Sequence, residues 1–234
     1  MTREPLIHIH ILRTGGTTLR YSLEKYYEYP VAMNHTVEQL KSIDANNYMV
    51  VQGHFCYGIH KVLEIPPRYF TFLRHPVSRV LSVMYSGNPN ATEHDIWGNI
   101  ENGNLFRVVH PSVTQLAGVD NFDEWTNTLP TQELLEVAQS NLEGFEFVGF
   151  TECFDKSMAK LCHKADWCIP ELVSMNRSKR PVPMPEKSSN LYRTIVQHYS
   201  HGMELYEWAK DKFFSLVLGI GLWHLLNMSL LEVA

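Results

Sequence analysis

Residues 6–23 read LIHIHILRTGGTTLRYSL, and the fold turns on how that stretch divides. Leu6 to Ile11 alternates apolar residues with His8 and His10, which is a strand pattern, and helical spacing resumes only after Thr17. Leu12 to Gly16 is therefore a short turn from strand into helix. Gly15 and Gly16 admit a ligand close to the backbone, while Arg13, Thr14, Thr17 and Thr18 set a cation and three hydroxyls beside a helix N-terminus. That combination suits a phosphate or a similar anion. The nucleoside-triphosphate loop GxxxxGK[ST] needs a glycine at position 11 and a lysine after Gly16, where this chain has Ile11 and Thr17.

Outward from this stretch, the strand-then-helix rhythm continues. Asn47 to Gln52 and Arg68 to Leu73 are apolar runs of buried-strand type, and Phe145 to Phe150 is a third. Helices are expected over Thr17–Tyr27, from Pro76 onward, over Phe122–Thr128, Thr131–Ser140 and Asp155–His163, and as one long element over Ser189–Lys212 interrupted at Gly202. Ser86 to Asn121, rich in Asn, Gly and Pro, is a long loop holding short helices or a lid. The expected class is α/β, three layers around a central parallel sheet. A chain of 234 residues that is 44% hydrophobic supports one such domain. We place it at residues 1–212, followed by an apolar tail at 213–234.

The formal net charge of -5 gives no broad basic surface and counts against nucleic acid as a partner. Cys56, Cys153, Cys162 and Cys168 match no zinc pattern, and no His or carboxylate pair has ligand spacing with a third ligand nearby, so no metal is expected. Free thiols are the default reading, with a Cys162–Cys168 bridge left open. The first strand starts by Leu6, which leaves no room upstream for a signal peptide, and the chain reads as cytoplasmic. The tail FFSLVLGIGLWHLLNMSLL approaches the length of a membrane span, yet carries Gly219, Gly221, His224 and Asn227. It is either a packed helix, a membrane-associated segment or a disordered end.

A second strand-to-helix junction lies at TFLRHPVSRVLSVMY, residues 71–85, where Arg74 ends the strand and Pro76 opens the helix. Spacing of three to four residues puts Arg79 and Ser82 near one face, so that Arg74 and Ser82 converge on one anion. Two such junctions, each with an arginine, suit a ligand with two separated anionic groups held across the carboxyl edge of the sheet.

These segments resemble a known family. HILRTGGTT at 10–18 is similar to the HxPKTGGTT loop of the carbohydrate-type sulfotransferases, which include the heparan sulfate 2-O-sulfotransferases and bacterial members, and FLRHPVSRVLSVMY at 72–85 to their FLRDPVERxxSxYY motif. QGHFCYGIH at 52–60, TQLAG at 114–118, FVGFTECFDKSM at 147–158 and NRSKRP at 176–181 follow in the family's order. The resemblance implies a P-loop-like nucleotide-binding sulfotransferase fold that transfers sulfate from PAPS, leaving PAP, to a hydroxyl of a carbohydrate, glycolipid or other small acceptor. It assigns the 5'-phosphosulfate to Arg13, Thr14, Gly15, Gly16, Thr17 and Thr18, and the 3'-phosphate to Arg74 and Ser82. The NRSKRP loop, with Arg177, Lys179 and Arg180, becomes a flap over the donor, Arg180 a further donor contact. His54 becomes the base that takes the acceptor's proton, with His60 second, and His10 a positioning residue. The family's lysine is replaced by Arg13, which stabilises a leaving phosphate without readily giving up a proton. That departure keeps a second reading open, a non-catalytic binder of nucleotides or sulfated ligands. A P-loop kinase lacks its lysine.

Overall fold

The computed structural model describes residues 4–28, 31–34, 37–102, 111–118, 129–168 and 184–218. Its centre is a parallel five-stranded sheet built from β1 (Leu6–Ile9), β2 (Val31–Asn34), β3 (Val50–Gly53), β4 (Tyr69–Leu73) and β5 (Phe147–Phe150), in the order β2-β3-β1-β4-β5. Every residue of β1, β3 and β4 is buried. Burial on both faces is why the segments holding β3 and β4 read as apolar runs, and in β1 it encloses His8 as well.

Alternate side chains go to opposite faces. Leu6, Val50, Phe70 and Phe72 meet Leu19 and Leu23 of α1 (Gly16–Glu24) on one side, together with Met158 and Leu161 of a later helix, Phe154–Ala165. Ile7, Ile9, Val51 and Tyr69 face the other way and pack with Leu116, Leu135, Leu142 and Leu205 from the helices Pro111–Ala117, Gln132–Glu143 and Ser200–Leu218. The expected three layers are thus present. Leu19 and Leu23 are fully buried, and truncating either to alanine costs about 2–5 kcal/mol.

The remaining helices complete the set. In chain order they are α2 (Val37–Lys41), α3 (His60–Leu63), α4 (Pro76–Gly87), α5 (Glu93–Glu101), α6 (Pro111–Ala117), α7 (Gln132–Glu143), α8 (Phe154–Ala165), α9 (Asn190–His198) and α10 (Ser200–Leu218). A smaller apolar cluster joins Val77, Val80 and Leu81 of α4 to Ile96 of α5 and Leu191 and Ile195 of α9.

Several boundaries differ from the sequence reading. β2, α2 and α3 are additional; each is four or five residues long, and the two helices are too short to show a period. The Asn-rich stretch does hold α5, started by a capping box in which Thr92 accepts from the Asp95 amide and Asp95 from the Thr92 amide. The expected long helix after Ser189 is two helices that part at Tyr199, while Gly202 lies inside α10. Helix α10 also runs past Lys212 to Leu218, with Phe213, Phe214 and Val217 joining the core. The helix expected at 122–128, the basic loop with Arg177, Lys179 and Arg180, and residues 219–234 lie outside the described residues. Among the described residues no helix is long and apolar enough to cross a membrane, and all four cysteines are free.

Topology fixes where a ligand can sit. The crossover from β1 runs through α1 on one face, and the crossover from β4 reaches β5 through α6 and α7 on the other. Adjacent parallel strands whose crossovers leave to opposite faces open a crevice at their carboxyl ends.

Candidate functional site

The loop after β1 closes on itself. Thr14 is buried and its hydroxyl donates to the Ile11 carbonyl at 2.7 Å. Arg13 takes a left-handed φ of 68°, uncommon for a residue with a side chain, and Gly15 caps α1 at φ 95°. The two glycines have a reason beyond ligand approach. A Cβ at Gly16 meets the His10 ring at 2.4 Å, and one at Gly15 meets Phe154 at 2.6 Å. Thr17 and Thr18 sit partly exposed on the first turn of α1.

The second junction reaches into this loop. Arg74 Nη1 donates to the Arg13 carbonyl at 3.1 Å, and Arg13 Nε donates to Ser82 Oγ at 3.0 Å. Arg74 and Ser82 thus both contact residue 13, Arg74 at its backbone carbonyl and Ser82 at its side chain. Arg79 does not share that face: it is 2% exposed, and burial pushes its guanidinium down to about 10. Burial likewise lowers the Arg13 pKa, and it lowers that of Arg74, with Glu152 opposing the shift and Arg13 adding to it. Among the described residues neither arginine forms an ion pair with a carboxylate. Two partly buried guanidiniums that repel each other and stay charged are costly to hold, and an anion between them removes the cost.

Hydrogen bonds separate the histidines. His54, just past β3, places Nδ1 2.7 Å from the His10 carbonyl, so Nδ1 carries the proton and the lone pair of the neutral ring is on Nε2. That is the arrangement a base needs at the sheet's carboxyl edge. His60 is the reverse case. The Tyr69 hydroxyl accepts from the Gly58 and His60 amides, so its own proton goes to His60 Nδ1 at 2.8 Å and Nε2 is the protonated nitrogen. Tyr69 is the first residue of β4, so His60 also lies toward the amino end of the sheet.

His10 supports both neighbours. Its ring stacks on His54 at 4.6 Å between centroids and packs on Gly16. Burial keeps its pKa well below the usual value, with His8, His54 and Arg20 adding to the effect. Behind it, His8 stacks on Phe70 at 4.5 Å and sits 2.9 Å from Gln52 Oε1, and burial pushes it down to about 4.

Two residues after β5 complete the edge. Glu152 Oε1 accepts from the His75 amide at 2.8 Å, which ties the turn after β5 to the residue before α4. Thr151 Oγ1 lies 3.1 Å from both the Thr14 and the Leu73 carbonyls. Thr151 is absent from the sequence-derived set, although a hydroxyl residue directly after a buried strand marked it. Arg180 lies outside the described residues, and among these no cluster of His, Cys, Asp and Glu is arranged to hold a metal.

No family model matches this chain, and no curated protein matches it. Among solved structures it is similar to mouse sulfotransferase SULT7A1 complexed with PAP, at 14% identity and a TM-score of 0.41, over 85% of this chain and 67% of that one. A likeness that distant carries no weight for the site, which stands on its own geometry.

Proposed function

We propose that this chain transfers the sulfuryl group of PAPS to a hydroxyl on a carbohydrate, glycolipid or other small acceptor. One observation carries the reading: Arg74 donates to the Arg13 carbonyl and Arg13 Nε to Ser82 where two strand-to-helix junctions adjoin, and neither arginine is paired with a carboxylate among the described residues. A 3',5'-substituted nucleotide has two anionic groups at a fixed separation, and the two junctions supply two matching sets of donors. Arg13, Thr14, Gly15, Gly16, Thr17 and Thr18 hold the 5' group; Arg74 and Ser82 hold the 3'-phosphate, with Arg180 as a further donor contact.

His54 Nε2 takes the acceptor's hydroxyl proton as that oxygen bonds to sulfur and the bond from sulfur to the phosphate oxygen breaks. The released electron pair stays on the phosphate, where the Arg13 guanidinium stabilises it. Arg13 Nε is engaged with Ser82, and its two outer nitrogens have no partner among the described residues, so the fork is available for that task. PAPS supplies the activated sulfuryl group. The protein supplies position, charge and a proton acceptor.

The test is retention on immobilised PAP followed by transfer of labelled sulfate from PAPS across a panel of sugar, glycolipid and small-alcohol acceptors. Retention with transfer supports the proposal. Retention without transfer to any of them favours a non-catalytic binder, the reading that the Arg13 substitution motivates. Absence of retention removes PAP-type ligands altogether.

A further inference from the structure

The geometry points to Thr151 as a positioning residue that ties the two anion-binding junctions to each other and sets which way their peptide groups face. This rests on the reading above that the carboxyl edge takes a ligand with two anionic groups. The direct ladder between β1 and β4 runs from Ile7 opposite Tyr69 to Ile9 opposite Thr71 and stops there. Thr14 and Leu73 lie beyond its last rung, so strand pairing does not hold the junctions together where the ligand's charges fall.

Thr151 is placed to do so. Leu73 pairs with Phe150, the last residue of β5, and Thr151 follows within a single 3-10 turn, Thr151–Cys153. Its hydroxyl proton is shared between the carbonyls of Thr14 and Leu73, each 3.1 Å from Oγ1. The strand end beneath is braced, because Ser157 Oγ accepts from the Phe150 amide and donates to the Phe150 carbonyl.

Peptide planarity gives this contact its consequence. In a trans peptide the N–H points opposite to the C=O. Turning the 14–15 and 73–74 carbonyls toward Thr151 therefore turns the amides of Gly15 and Arg74 away from it. Gly15 at φ 95° sits in a loop where glycine leaves the preceding peptide little local restraint, so a tertiary bond is needed to keep its carbonyl off the anion. An amide attracts the ligand's charge and a carbonyl repels it.

Thr151→Val keeps the shape and removes the hydroxyl, and Thr151→Ser restores it. Calorimetric titration with PAP, adenosine 5'-monophosphate and adenosine 3'-monophosphate reads the difference. The valine variant should lose about tenfold in PAP affinity, the scale of one hydrogen bond. Each monophosphate should lose markedly less, and serine should recover most of the PAP loss. Unchanged PAP affinity in a folded Thr151→Val protein overturns the inference, as does an equal loss for all three ligands that serine fails to rescue. Should the wild type bind no PAP, the donor assignment fails while the latch is still read without ligand. Amide hydrogen exchange over residues 12–18 should then quicken in Thr151→Val and stay at the wild-type rate in Thr151→Ser, and unchanged exchange in the valine variant overturns the latch.

Discussion

Arg13 Nε donates to Ser82 Oγ across 3.0 Å, so a side chain from the loop after β1 is anchored on the helix that follows β4. The same residue's carbonyl accepts from Arg74. Arg13 thus belongs to both junctions at once, and changes at either should be felt at the other.

Arg74→Ala should weaken PAP binding by about 1.5–3 kcal/mol, the range for charge-assisted hydrogen bonds to a phosphate. The substitution also frees the Arg13 carbonyl, so part of the loss will come from a looser first loop. Calorimetry on the folded variant checks this. Wild-type affinity for PAP would take Arg74 out of the site.

Arg13→Lys should keep sulfate transfer, because lysine restores a leaving-group donor while giving up the bond to Ser82. Turnover is expected to hold or rise, with PAP affinity falling by less than about 1.5 kcal/mol, the worth of one ordinary hydrogen bond. A variant that binds PAP yet transfers nothing shows that the guanidinium fork itself is required.

His54→Ala should lower turnover about a hundredfold or more with little change in PAP affinity, as expected when a proton acceptor used in the transition state is removed. His60→Ala should leave turnover near wild type, since Tyr69 fixes the His60 ring in the tautomer that carries its proton on Nε2. Steady-state rates of the two variants decide the matter. Equal losses in both would place the proton acceptor elsewhere.

Acid should destabilise the fold through His8. The buried ring binds a proton only near pH 4, whereas the unfolded ring does so near 6.5. Above about pH 6.5 neither state is protonated and the full stability is present; as pH falls from there toward 4 the unfolded state gains the proton first. The loss over that window is on the order of 3 kcal/mol, and His10, lowered by the same burial, adds to it. Urea midpoints at pH 7 and pH 4.5 measure it. His8→Gln should flatten the dependence, and an unaltered slope would assign the loss to other groups.

How much of this was legible before the fold was known depended on burial. Tyr69 to Leu73 and Phe147 to Phe150 declared themselves as strands because both faces are covered, which forces apolar residues into nearly every position, while Leu6 to Ile9 was legible from its alternation with His8. Val31–Asn34 did not; it is an edge strand, paired only with β3. Arg74 and Ser82 could be placed together by helical spacing, but the same spacing put Arg79 beside them, and only packing reveals that Arg79 turns into the interior. Thr151 lies 137 residues from Thr14 in sequence: its place directly after a strand could mark it as a candidate, but its partners follow only from sheet order.

The rings that fill the space beside Gly15 and Gly16 also bear on how fast a ligand can be captured. Because Phe154 and the His10 ring already mould the turn, its shape comes from the strand and helix behind it. Little chain ordering then remains for the moment of encounter, so association should run at the pace of diffusion and charge steering, and differences among ligands should show in how long each one stays.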